Sequence, residues 1–230
     1  MGAVTCAAVE EDPGLELVAR ISSGDNLQAV LDAGAGVAVE FTTPVSVAAN
    51  TRWLLERGVH TVVGATGLSE ADLEELRGLV GPANCVVAPN FAIGAVLLMR
   101  LAAEVAPYLP QAEIIELHHD RKVDAPSGTA LRTAERMAAA SSEWAADPTT
   151  DHVVEGARGG AGPGGIPIHS VRLRGLFAHQ EVILGTSGQS LTIRHDTYDR
   201  TCYMPGVLVA VKRVAERPGL TIGLEQLLEL

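Results

Sequence analysis

Cysteine is scarce in this chain: of 230 residues only Cys6, Cys85 and Cys202 carry a thiol. They are far apart, odd in number and free of any CxxC or Cys/His ligand spacing. A disulfide framework and a structural zinc site are therefore excluded, and a reducing compartment is implied. Long apolar runs are missing too. The most apolar stretch, Phe91 to Met99, is closed by Arg100, far short of the roughly 20 residues that span a bilayer. No basic region precedes an apolar one in the opening Met-Gly-Ala-Val-Thr-Cys, so no secretory signal is read and a cytoplasmic location without a membrane partner is expected. Positive charge is also in short supply, with 17 Lys+Arg against 28 Asp+Glu. No lysine- or arginine-rich block offsets that balance, so nucleic acid is not expected as a partner. An anionic cofactor or substrate would need local donors against the average field.

What is present is a chain that alternates in period. Apolar residues make up 47% of it, ample for a packed core. Leu15 to Ile21 reads as a strand, Asn26 to Ala33 as a short helix and Gly36 to Phe41 as an apolar strand. Val47, Ala48, Thr51, Leu54 and Leu55 follow helical spacing up to Gly58. Val59 to Val63 is the next strand, Ser69 with Asp72 resembles a capping box that opens a helix, and Asn84 to Ala88 is a strand stopped by Pro89. Strands alternating with helices imply a parallel sheet covered on both faces.

The pattern changes after Ile93. A helix to Val105, a strand over 111–117 and a helix over 128–140 are followed by a glycine-rich connection at 156–165. Three strand-like segments come next, over 168–174, 179–184 and 190–195, the last two flanking a hairpin loop. A final helix runs over 207–217. The fold class is α/β, with a second α+β domain on a largely antiparallel or mixed sheet. The expected division is 1–92 plus 206–230 for the first domain and 93–205 for the second.

One stretch carries chemistry, Glu116-Leu-His-His-Asp-Arg-Lys-Val-Asp-Ala-Pro-Ser-Gly-Thr-Ala130. It is a strand end, a polar loop and a helix start. The first peptides of a helix have N–H groups without intrahelical partners and sit at the positive end of the dipole, which suits a carboxylate. Gly128 lets an anion approach the backbone, Thr129 adds a hydroxyl, and Lys122 with His118 and His119 supplies a cation and imidazoles. From the residues alone this is a site for an anionic small molecule undergoing proton transfer. The plainer alternatives are a helix cap at Ser127 and a histidine pair of which one member is structural, since neighbours on a strand point to opposite faces. No metal is expected, because His118 and His119 lack the i, i+4 spacing of a helical ligand pair.

The same stretch resembles the signature of the dihydrodipicolinate reductases, E-x-H-H-x-x-K-x-D-A-P-S-G-T-A. Val63-Gly-Ala-Thr-Gly-Leu68 is similar to that family's V-G-T-T-G loop, and Ala88-Pro-Asn-Phe-Ala-Ile-Gly94 to the segment joining its two domains. Counterparts also exist for Gly156-Ala-Arg-Gly159, Ile166 to Arg172, His179-Gln-Glu181, Leu191 to Asp196 and Arg200 to Gly206. The resemblance implies a Rossmann-like nucleotide-binding domain and a homotetramer formed through the second domain. It implies NADH or NADPH as cofactor and a cyclic dicarboxylate as substrate, which accepts hydride and loses its 4-hydroxyl as water. It assigns His118 as acid/base and Lys122 as proton donor. His119, Gly128 and Thr129 match residues that bind the dicarboxylate. Gly64, Ala65 and Thr66, with Ala88, Pro89, Asn90 and Phe91, match two loops against the cofactor.

One departure stands out. Met1-Gly2 aligns with the end of the family's glycine-rich turn, so the first strand and most of that turn, roughly eleven to fourteen residues, are missing from the pattern. The position that recognises the cofactor's sugar falls near Ser22 and Ser23, with neither an acid for ribose hydroxyls nor an arginine for a 2′-phosphate, and the choice between NADH and NADPH stays open. The main reading is an NAD(P)H-dependent reductase of diaminopimelate and lysine biosynthesis. The alternative is an N-terminally truncated, catalytically impaired subunit that only binds dicarboxylates. An aspartate semialdehyde dehydrogenase would need a nucleophilic cysteine, and none of the three has a base motif beside it.

Overall fold

The computed structural model describes residues 1–228. In chain order the elements are α1 (Gly2–Glu11), α2 (Gln28–Asp32), β1 (Val37–Glu40), α3 (Val47–Glu56), β2 (His60–Val63), α4 (Glu70–Leu79) and β3 (Cys85–Val87). Then follow α5 (Ile93–Val105), β4 (Gln111–His118), α6 (Gly128–Ala140), β5 (Gly160–Ala161) and β6 (Pro167–Arg172). The chain closes through β7 (Ala178–Thr186), β8 (Gln189–Thr197), α7 (Met204–Arg213) and β9 (Leu220–Ile222). Two compact units result, Met1–Ile93 with Arg200–Leu230, and Gly94–Asp199.

The first unit holds a parallel four-stranded sheet in the order β1-β2-β3-β9. Thr61, Val62 and Val63 of β2 are all buried, as expected of an inner strand covered on both faces. In α3 the buried residues Val47, Thr51, Leu54 and Leu55 lie on one helical face, and Val47 and Leu55 meet Val63, Leu76 and Cys85 in one cluster. The capping box of α4 forms as the sequence suggests. Ser69 Oγ accepts from the Asp72 N–H at 3.2 Å, and the Asp72 carboxylate accepts from the Ser69 N–H at 2.8 Å. Burial pushes the Cys85 thiol up to about 12, so it stays protonated at neutral pH.

Leu15 to Ile21, expected as a strand, is not one. The segment has no ladder partner, and a strand exists only through pairing, so its residues have strand-forming character without strand structure. It faces β1 across a cavity of about 370 Å³ whose walls include Thr5 and Val9 of α1, Leu15 to Ile21, and Gly36 to Val39. The other differences are smaller. The helix read over 26–33 is only the five-residue α2. The glycine-rich connection contains the short β5 and a 3-10 turn at Pro163–Gly165. The last helix starts earlier, at Met204, and gives way to a 3-10 turn at Val214.

The second unit is built on a mixed five-stranded sheet, order β5-β6-β4-β7-β8. β4 pairs parallel with β6 and antiparallel with β7, while β7 and β8 form a hairpin around Ser187-Gly188, with Gly188 at φ 80°. The helix α6 covers this sheet. Its Ala130, Thr133, Ala134 and Met137 are buried at helical spacing, and three of them pack with Leu98, Ile114, Ile166 and Leu184.

Candidate active site

β4 ends in the segment that the sequence singles out. Residues two apart on a strand share a face, so Glu116 and His118 stand side by side. Glu116 is fully buried, and four hydrogen bonds converge on its carboxylate. Arg172 donates Nη1 to Oε2 and Nη2 to Oε1, each at 2.8 Å. The Nδ1 of His118 lies 2.5 Å from Oε2, and the backbone N–H of Ser127 donates to Oε1 at 3.1 Å. Burial alone would raise this carboxyl's pKa. Hydrogen bonds from His118, Arg172 and Ser170 outweigh that effect and hold it down to about 2. An ionised carboxylate only accepts hydrogen bonds. The Nδ1 of His118 therefore carries the proton, and Nε2 is the nitrogen that can exchange one with a ligand.

The loop between His118 and α6 is fastened at several points. Arg172 Nη2 also donates to the Asp124 carbonyl at 2.6 Å, and the Lys122 N–H to the His119 carbonyl at 3.2 Å. Lys122 Nζ lies 2.8 Å from both carboxylate oxygens of Asp124, and its hydrogen bond holds the Asp124 carboxyl below its ordinary pKa. The His119 N–H donates to Phe177 O at 3.4 Å. Its ring Nδ1 is buried and has no hydrogen-bond partner among the described residues. A buried polar nitrogen left so is costly unless something polar meets it.

The helix start has the features of an anion site. Ser127 caps α6, its Oγ accepting from the Ala130 N–H at 3.2 Å. No acidic residue lies in the first turn. Gly128 is exposed, and nothing stands within 4 Å of where a Cβ would sit on it. A carboxylate can reach the backbone there, next to the half-buried Thr129.

The remaining expected residues lie in the first unit, on two loops after adjacent parallel strands. Gly64 and Ala65 follow β2 and donate their N–H groups to Glu40 O at 3.0 and 3.2 Å. Thr66 is exposed. Ala88 follows β3, its N–H bonded to Val63 O at 3.0 Å. Pro89 is exposed, and Asn90 Oδ1 accepts from the Ala92 N–H at 2.9 Å. Phe91 is only 3% exposed, and its ring meets Phe41 edge-on, 5.9 Å between centroids. Its side chain is therefore packing that holds these loops in place. In an open α/β sheet, ligands sit outside the carboxyl ends of the strands. The exposed Thr66 and Pro89 suit a dinucleotide there. So does the first turn of the ten-residue α1, which carries no acidic side chain and has open space around Gly2.

Comparison with known proteins bears directly on this arrangement. Residues 1–91 match the family model described as dihydrodipicolinate reductase, N-terminus, and residues 94–228 the one described as dihydrodipicolinate reductase, C-terminus. The chain belongs to the dihydrodipicolinate reductase family. This reductase is 50% identical over 234 residues to the 4-hydroxy-tetrahydrodipicolinate reductase of Mycobacterium marinum, and 48% identical to that of Mycolicibacterium vanbaalenii. Each alignment covers 100% of this chain and 95% of the relative. Among solved structures, the dipicolinate-bound dihydrodipicolinate reductase from Paenisporosarcina sp. TG-14 superposes with a TM-score of 0.86 at 38% identity, covering 98% of this chain and 94% of the other. An engineered D-amino acid dehydrogenase bound to NADP+ shares the fold at a TM-score of 0.55 and 14% identity. As a member of this family, the chain is an NAD(P)H-dependent oxidoreductase.

Among the described residues no group of three or more His, Cys, Asp or Glu is placed to hold a metal ion, and no helix is long and apolar enough to cross a membrane. Sequence reasoning alone does not single out two residues at the centre of the site. Glu116 and Arg172 both stand in family-like segments, but their pairing crosses 56 positions of sequence. The one local clue was the spacing of Glu116 and His118, which puts a carboxylate beside the imidazole on one strand face.

Proposed function

We propose that this reductase converts 4-hydroxy-tetrahydrodipicolinate to tetrahydrodipicolinate in the diaminopimelate route to lysine, with the substrate's carboxylates held by the segment His118–Thr129. One carboxylate lies at the start of α6, against the backbone of Gly128 and the hydroxyl of Thr129. His119 contributes its partly exposed imidazole. The reaction consumes one proton per turnover: the 4-hydroxyl leaves as water as the ring gains a hydride. The nicotinamide, when bound, supplies that hydride, and Gly64, Ala65, Thr66, Ala88, Pro89, Asn90 and Phe91 form the loops that would hold it. His118 Nε2 is the acid/base at the ring. Lys122 brings a cation that offsets the substrate's negative charge and delivers a proton, moving off Asp124 to do so.

The observation that carries this reading is the single carboxylate of Glu116, which bonds both His118 and the residue capping α6. It fixes the proton-transfer group and the anion site to one point. The test is nicotinamide oxidation at 340 nm by the purified chain, supplied with the condensation product of pyruvate and aspartate semialdehyde. Oxidation of NADH or NADPH that depends on this substrate is expected. A folded protein that oxidises neither contradicts the proposal. A cytoplasmic homotetramer completes the reading; its assembly is supported by the outer strand β8, whose Leu191 is 40% exposed, and by Leu173, 58% exposed.

A further inference from the structure

We infer that Glu116, clamped by Arg172, is a positioning residue for the reaction: it sets the tautomer and orientation of His118 and aligns them with the start of α6. The inference rests on the function proposed above and adds to it a residue that touches no substrate.

Four observations carry it. Glu116 is fully buried, so its carboxylate does not contact ligand directly. Arg172 grips both carboxylate oxygens at 2.8 Å in a bidentate pair, which fixes the plane of the group. With that plane fixed, Oε2 meets His118 Nδ1 and Oε1 meets the Ser127 N–H. Arg172 extends the clamp to the Asp124 carbonyl, so the loop bearing Lys122 is held from the same centre. A bystander ion pair would end at the two charged partners. Here each oxygen of the pair is shared with one element of the site.

The exchange Glu116→Gln keeps the size and removes the charge. A glutamine can offer His118 an N–H instead of an acceptor, which favours the wrong tautomer, and kcat is expected to fall roughly 10²-fold or more. The glutamine's carbonyl oxygen can still accept from the Ser127 N–H that aligns α6, so the KM for substrate and the affinity for dipicolinate should stay within about threefold. Val182→Ala, a cavity in the same unit's core, serves as the stability control. In parallel, ¹⁵N NMR of the unmutated protein reads the His118 ring directly, and the neutral imidazole should carry its proton on Nδ1.

An Nε2-protonated neutral ring in the unmutated protein overturns the inference, whether or not Glu116→Gln folds. So does a Glu116→Gln variant with unchanged kcat, or a Val182→Ala variant of equal melting temperature that loses as much activity. If the unmutated chain shows no reduction at all, the proposed function fails instead. An active chain in which His118→Gln is inactive and Glu116→Gln is not leaves that function standing and removes only the positioning role.

Discussion

The clearest consequences at the scale of single residues concern His118 and Glu116. Replacing His118 by Gln removes the acid/base and should lower kcat by about 10²- to 10⁴-fold. Dipicolinate binding should persist, since Gly128, Thr129 and His119 remain, and steady-state kinetics beside calorimetry separates the two effects. Glu116 has a consequence for stability. Its carboxyl is held down to about 2 in the folded chain against an ordinary value of 4.5. A group with a depressed folded pKa stabilises the fold fully above its unfolded value, and that contribution is lost as pH falls through the folded one. Denaturant unfolding should therefore show stability declining between pH 4.5 and about 2, and declining less steeply in Glu116→Gln. Equal slopes for the two proteins would contradict the assignment. Removing only the cation, as in Arg172→Met, leaves a buried carboxylate without its main partner and should cost about 3 kcal/mol or more.

Secondary-structure elements show where close approach sets the sequence. A Cβ on Gly64 would stand 2.1 Å from Phe41 Cε1 and 2.8 Å from Phe91 Cε2. On Gly206, in α7, it would stand 2.1 Å from the Phe91 carbonyl oxygen. A ring can turn aside and a carbonyl cannot. Gly64→Ala should thus cost about 1–3 kcal/mol by overpacking, and Gly206→Ala more, both read as shifts in the denaturant midpoint. At this scale the sequence is most legible where the signal is local. Pro126-Ser127-Gly128 places the start of α6 to the residue, and Ser69 with Asp72 does the same for α4. Both are caps, formed by neighbours three positions apart. Legibility ends where partners are distant. Leu15 to Ile21 has strand character, but pairing depends on a neighbour that the segment itself does not contain. Likewise, Glu116 looks like a solvated acid until β6 brings Arg172 to it. The fastening of the His118–Gly128 loop is hidden for the same reason, whereas the residue types from which its chemistry is proposed stand in the sequence itself.

For the whole molecule, an acidic chain of formal net charge −11 binds anions only where local donors outweigh the average field. The second unit places its donors at the start of α6 and along the loop before it. The exposed residues of β8 belong to the same scale. Light scattering should return four copies of the 24.0 kDa chain, and a charged residue in place of Leu191 should shift the population toward smaller species. A monomer at micromolar concentration would contradict the tetramer without touching the chemistry. In the proposed reaction the segment from His118 to Thr129 holds a ring dicarboxylate. Calorimetric titration of dipicolinate tests it most directly, with the unmutated chain beside His119→Leu and Lys122→Met. Saturable one-to-one binding, weakened about tenfold or more in each variant, is the result expected. Binding of equal strength in all three proteins, or none to a folded chain, would contradict it.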